Sequence, residues 1–390
     1  MRKIILFIVI LLHSKFGLCK EHFVQSESEL TSVIKILKPG DVVTIANGSY
    51  KPWSTNINAQ GTAAEPIVIQ AETKGRVTFS GNVYQPIFKL IGSYITLKGI
   101  NFNDCKVFRF GKETGVLVEL YNSNNCRLTQ CTFEKNSVSA QYIPIVVVSG
   151  NSLNVRIDSC KFISNLDNQD IQVRVRKIAF PKSTVIENNI FSDKSVVRWP
   201  GNNGGECIQI GQDNVLLGNL RSNSIVRSNR FIRCKGDAEV ISNKSSGNTY
   251  SKNYFEDCIG ELVIRGGNDC NIVDNIIKGG YSGIRINGTG HSVTGNRISN
   301  VKVGIRLMYG MSTGRNGLGF YITASDCTIA DNYFDNVGTG ILLGDGKNVD
   351  WTGKFDPKRY PSRQRQDIRP SNNKVLNNRF IGTLKEVVNN

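Results

Sequence analysis

Histidine is nearly missing from this 390-residue chain: three occur, at positions 13, 22 and 291. A zinc site built on Cys and His, or a Ser-His-Asp triad, therefore has almost no material. No CxxC pair occurs, which removes the commonest metal spacing as well. Proline is scarce (10) beside glycine (38), and methionine is scarcer (3). Asparagine is frequent, so many turns are expected. Past Leu12 no apolar run approaches membrane length. Low-complexity linkers and composition breaks are absent too, which predicts a single domain. Hydrophobic residues at 39% and charged residues at 21% support a buried core and exclude wholesale disorder.

What is present begins at the N-terminus. The stretch MRKIILFIVILLHSKFGLC has a basic start and an apolar segment over 4–12, too short to span a bilayer. It reads as a secretory signal at 1–19, leaving 20–390 as the mature chain; lipidation at Cys19 is the alternative. The formal net charge is +16, and loss of Arg2, Lys3 and Lys15 leaves about +13. Such a balance favours polyanions, and an exported protein meets acidic polysaccharide rather than nucleic acid.

After the signal, SESELTSVIKILK (26–38) pairs a Ser26/Glu29 capping box with an apolar stripe at Leu30, Val33, Ile34 and Leu37. One short helix is expected there, stopped by Pro39-Gly40. Strands follow in DVVTIANGSY, PIVIQAE and RVTFSG.

From about residue 95 a repeat takes over: apolar-x-x-x-(Asn or Cys)-x-(Phe or Ile). The Asn/Cys position falls at 131, 160, 189, 229, 253, 275, 296, 332 and 378. A period in the low twenties, built of short β-branched strands without a leucine frame, indicates a solenoid. Asparagines in register on successive turns can stack as an amide ladder with Phe beneath. The expected fold is an all-β, right-handed parallel β-helix behind a short N-terminal capping helix. The cysteines keep the same register, which makes them small buried core residues rather than bridges. Cys234 and Cys258 are the pair best placed to bond. Residues 192–223, 310–325 and 343–373 interrupt the repeat. The last, containing KFDPKRYPSRQRQDIRP, is either a solvated basic loop or a cover that holds an anionic chain over a groove.

A second strand family, CIQIG (207–211), EVISNK (239–244), LVIRGG (262–267), GIRING (283–288) and GIRLMY (304–309), should stack as one face and line a groove suited to a polymer. Asp237 and Glu239, at i and i+2, are expected on one side of a strand. Two such carboxylates repel unless a cation or proton is shared. Asn203 adds a neutral oxygen from the preceding coil, and Glu206 either joins it or holds the loop. Hard oxygen donors of this kind suit Ca²⁺, and a surface acidic pair neutralised by Lys or Arg is the alternative. Lys244 and Arg265, 21 residues apart, are placed side by side on adjacent coils, where the second cation would depress the lysine.

The runs NGGECIQIG, DAEVISNKS and ELVIRGGN, in this order, resemble polysaccharide lyase family 6, the alginate lyases and chondroitinase B. The opening LKPGDVVTIANGSYKPW is similar to the family's N-terminal coils, and the resemblance covers roughly 25–340. It implies a parallel β-helix and a Ca²⁺-dependent β-elimination. Position by position it makes Asn203, Asp237 and Glu239 the calcium ligands, Lys244 the general base and Arg265 the general acid. Arg285 and Arg306, next along the stack, would then bind further substrate carboxylates. Gly266 stands where the family usually has His, and Asp237 where Glu is common. The substrate expected is alginate, with dermatan or chondroitin sulfate second. A pectin-hydrolase reading lacks the acid cluster it needs. A non-catalytic polyanion-binding β-helix draws its support from Gly266.

Overall fold

The computed structural model describes residues 19–110, 113–312, 320–354 and 363–390. Residues 1–18, most of the stretch 1–19 expected to be a signal, and the centre of the basic 343–373 interruption lie outside the described residues. Three long parallel sheets of 13, 12 and 13 strands run the length of the molecule, each coil donating one strand to each sheet. This is the right-handed parallel β-helix that the repeat predicts. Short strands of three to seven residues suffice because each is paired on both sides by its neighbours in the stack.

The register of the repeat is the register of the core. Phe102, Phe133, Phe162, Phe191, Phe231 and Phe255 stack face to face with centroids 4.7–4.9 Å apart. That is the spacing of neighbouring strands. Beside them the asparagine ladder forms. Asn229 Oδ1 accepts from the backbone N–H and Nδ2 of Asn189, both at 3.0 Å, and the pattern continues through Asn253, Asn275, Asn296, Asn332 and Asn378. Each rung fastens a bend where the preceding residue has a left-handed backbone, as at Ser228, Lys252 and Asp274. That conformation costs about 1–2 kcal/mol for an L-residue, and the amide bonds of the rung offset it. Cys131 and Cys160 fill the first two rungs and are buried.

All ten cysteines are free, nine of them buried. Cys234 and Cys258, the pair best placed to bond, stand on adjacent coils as free thiols, in keeping with the reading of the cysteines as core residues. Burial pushes the Cys234 thiol well up, as expected of an inert core position.

The predicted helix is present at Glu27–Ile34, capped by Ser26, whose hydroxyl accepts from Glu29 N–H at 3.3 Å. Leu30 is its one fully buried side chain, packed on the first coils. No helix among the described residues is long and apolar enough to cross a membrane. The 192–223 interruption resolves into two loops flanking the strand Ile208–Ile210. The first carries Asn203; the second, 211–223, leaves the sheet edge on which the site is built.

Candidate active site

The site lies on the 12-stranded sheet, over the strands Gln169–Val173, Ile208–Ile210, Glu239–Lys244 and Glu261–Gly266. Ile241, Asn243, Leu262 and Ile264 fill the interior, so Ser242, Lys244 and Val263 project from the outer face. Lys244 pairs in register with Gly266, and Arg265 is the extra residue of a bulge between Ile264 and Gly266. The two cations therefore do not occupy equivalent rungs. The bulge re-aims Arg265 across the face towards the preceding coil, where its Nη1 meets Glu239 Oε1 at 2.7 Å.

Asp237 is not on a strand with Glu239, contrary to the i, i+2 expectation. It precedes the strand, and its Oδ1 accepts from Glu239 N–H at 3.1 Å. Its Oδ2 accepts from Gly204 N–H at 2.7 Å and Gly205 N–H at 3.3 Å. The glycine pair in NNGGE is what lets that loop close: a Cβ on Gly205 would lie 2.4 Å from the Gly236 carbonyl. Glu206 turns inward, where Gln169 and Gln209 donate to its two oxygens at 2.9 and 3.0 Å. It organises the glutamine floor of the cleft, so the loop-holding alternative describes it.

Three carboxylates, Glu206, Asp237 and Glu239, thus converge with three cations, Lys244, Arg265 and Arg285, which act chiefly on Glu239. Burial, then the nearby Glu206 and Glu239 charges, pushes Asp237 up to about 7. Glu239 goes the other way. Burial raises its carboxyl, but Arg265, Arg285 and Lys244 outweigh that and hold it well below the usual range. Its Oε1 takes both Arg265 and Arg285, while Oε2 is buried with no hydrogen-bond partner. Burial lowers Lys244; the neighbouring acids oppose this and Arg265 adds to it. Arg265 is held protonated by Glu239 against the effect of burial.

The cleft has a volume of about 300 Å³. Gln172, Gln209, Lys244 and Arg265 form its floor; Tyr142, Asn203 and Phe320 stand around it. Arg285 and Arg306 are not in it. Arg285 is buried against Glu239, and Arg306 pairs with Glu261 and, at 2.7 Å, with Asp345. Their guanidinium groups neutralise the protein's own acids.

Asn203, Asp237 and Glu239, the residues expected to hold calcium, offer oxygen donors. Among the described residues no three acidic, His or Cys side chains make a ready metal cage. The proposed set, however, counts one amide, Asn203. Glu239 Oε2 is left without a hydrogen-bond partner, and repulsion from Glu206 and Glu239 lifts Asp237, where an added cation would relieve it. Hard oxygens with a net negative charge fit Ca²⁺.

Gly266 has a local cause. A Cβ there would lie 2.8 Å from Asn214 Cβ, so the 211–223 loop occupies the space a side chain would take. The repeat pattern misses Gln172, on a strand, and three further site residues, Tyr142, Asn214 and Phe320. Tyr142 sits in the left-handed region at φ 61°, and all three arrive from turns rather than from rungs.

A parallel β-helix whose outer face carries a half-buried lysine, a fixed arginine and a cluster of acids has the architecture of a solenoid enzyme. The comparisons refine this class. The family model described as Chondroitinase B matches residues 24–388. No curated protein matches significantly. Among solved structures, a mannuronic acid specific polysaccharide family 6 lyase from human gut microbiota is 25% identical, with TM-score 0.75; the match covers 94% of this chain and 82% of that one. The family 6 lyase Pedsa3628 from Pseudopedobacter saltans is 21% identical, with TM-score 0.72 and 95% and 93% covered. The alginate lyase AlyGC of the same family is 22% identical, with TM-score 0.72; this chain spans 47% of its length. The chain belongs to the chondroitinase B family, polysaccharide lyase family 6, and is a lyase.

Proposed function

We propose that this lyase cleaves alginate by β-elimination, with Lys244 as the base. The observation that carries the reading is Lys244 itself: a half-buried lysine with a lowered pKa, on the cleft floor, with Arg265 and Glu239 fixed beside it. Mannuronate and alginate are what the similar structures are described as acting on, which supports the substrate.

In the proposed reaction neutral Lys244 removes the proton from C5 of the uronate. The electron pair forms the C4–C5 double bond as the C4–O4 bond breaks. Arg265 stays charged; its guanidinium holds the substrate carboxylate and a water that gives the departing O4 its proton. Asn203, Asp237 and Glu239 would hold Ca²⁺, which when bound neutralises the uronate carboxylate and acidifies the C5 proton. The glutamine floor, tied to Glu206, offers amides to sugar hydroxyls. The basic, apolar N-terminal stretch supports export to where such polymers are met.

The test is the ultraviolet absorbance of the unsaturated uronate, followed on alginate, dermatan sulfate and pectate, with and without chelator. Alginate should give the product and chelation should abolish it. Product from dermatan sulfate alone would move the substrate assignment. Full activity after exhaustive chelation would remove the calcium role.

A further inference from the structure

The cleft is not an open trough along the sheet. On the Arg265 side a strap formed by residues 320–325 stands across it. The Phe320 ring covers the Arg265 guanidinium at 4.6 Å, and the Tyr321 ring lies 5.5 Å from it. Two asparagines from the underlying turns hold the strap by its backbone. Asn214 Nδ2 donates to the Phe320 carbonyl at 2.8 Å, and Asn287 Nδ2 donates to the Ile322 carbonyl at 2.9 Å. Ala324–Ser325 then pairs with Gly288–Thr289 as a short parallel ladder.

The strap is braced from behind by the 343–373 interruption. Trp351 packs on Tyr321 with centroids 5.7 Å apart. Trp351 Nε1 donates to Gln366 Oε1 at 2.8 Å, and Gln366 Nε2 donates to the Tyr309 carbonyl at 2.8 Å. On the coils that follow, the sheet face carries Arg285 and Arg306, each engaged in ion pairs with the protein's own carboxylates.

The other side differs. Gln172, on the cleft floor, accepts from Arg174 Nε at 2.8 Å. Arg174 opens onto a second cavity of about 350 Å³ that also holds Arg176, Tyr121 and Glu119, the last paired with Lys89 at 3.4 Å. An acidic polymer finds cations in that direction and an aromatic wall in the other.

We infer that the cleft is blind at Phe320–Tyr321, so that the enzyme works from a chain end and releases short unsaturated products. This rests on the lyase reading above. The experiment is the size distribution of products from long alginate at early conversion, read by chromatography beside solution viscosity. The expected result is unsaturated mono- to trisaccharides from the first time point, with viscosity lagging behind bond cleavage. The double variant Phe320→Ala/Tyr321→Ala should shift early products to longer chains and make viscosity fall sooner. Trp351→Ala, which removes only the brace, should shift them the same way and serves if the double variant does not fold. Long, mixed products from the wild type at early conversion would overturn the inference. So would short products whose sizes neither variant changes. Absence of unsaturated product from every uronate polymer would instead overturn the lyase reading, and this inference with it.

Discussion

Lys244 illustrates how burial makes a base. An amine taken out of water loses the hydration that favours its charged form, so its pKa falls. A base acts when neutral, so activity should rise with pH along a limb centred below the ordinary lysine value of about 10.4. A pH profile of kcat/KM reads that limb directly. Lys244→Ala should lower kcat by roughly a hundred- to ten-thousand-fold, the usual contribution of a general base, with the fold intact by circular dichroism. At the neighbouring bulge, Gly266→Ala places a Cβ 2.8 Å from Asn214 Cβ. Overpacking of that kind costs about 1–3 kcal/mol. Thermal unfolding should report the loss, and Asn214→Gly in the same chain should restore much of it. Lys244 and Glu239 are legible as strand positions because the repeat fixes their coil, whereas Asp237 precedes the strand and is held by the Gly204–Gly205 loop. Tyr142, Asn214 and Phe320 were not legible, since a turn has no register to read. The ion pairs of Arg285 and Arg306 were equally hidden, because Glu239, Glu261 and Asp345 reach them across coils and not along a strand.

Among the elements, the ladder is the easiest to test. Asn253 Oδ1 accepts two bonds from Asn229, both at 3.1 Å, deep in the stack. Asn253→Ala leaves those donors unpaired and buried, which should cost about 2–3 kcal/mol. Asn378, on the half-buried last coil, should cost less when changed in the same way. Denaturant melts of the two variants make the comparison. His291 belongs to a parallel stack. Its Nδ1 accepts from Cys270 N–H at 3.1 Å and its Nε2 faces the Asn287 carbonyl at 3.2 Å. Burial holds its pKa down, at about 4. The unfolded chain therefore binds the proton first, and stability present above about pH 6.5 is lost as pH falls towards 4, by about 3 kcal/mol. His291→Asn should flatten that part of the stability-pH curve. The repeat revealed the ladder because Asn and Phe recur at fixed offsets. It did not reveal Lys194, buried in a corner stack otherwise held by Asn and Cys, where its Nζ meets Asp170 at 3.0 Å. A lone lysine in sequence looks like surface.

For the molecule as a whole, the net charge of +16 places a polyanion in an attractive field. Added salt should raise KM for the polymer more than it lowers kcat, since screening acts on encounter and on the outlying Arg174 and Arg176 before it reaches the buried Glu239–Arg265 pair. Steady-state kinetics over a salt series checks this. Three of the interrupting loops, 211–223, 310–325 and 343–373, leave the same edge of the same sheet, after Ile210, Met308 and Asp345. The floor of the cleft is thus set by ladder register, and its wall by what is spliced into turns. Floor and wall can then descend separately: a lineage could trade the wall for one that admits a longer or differently branched polymer while the proton-moving machinery is inherited unaltered.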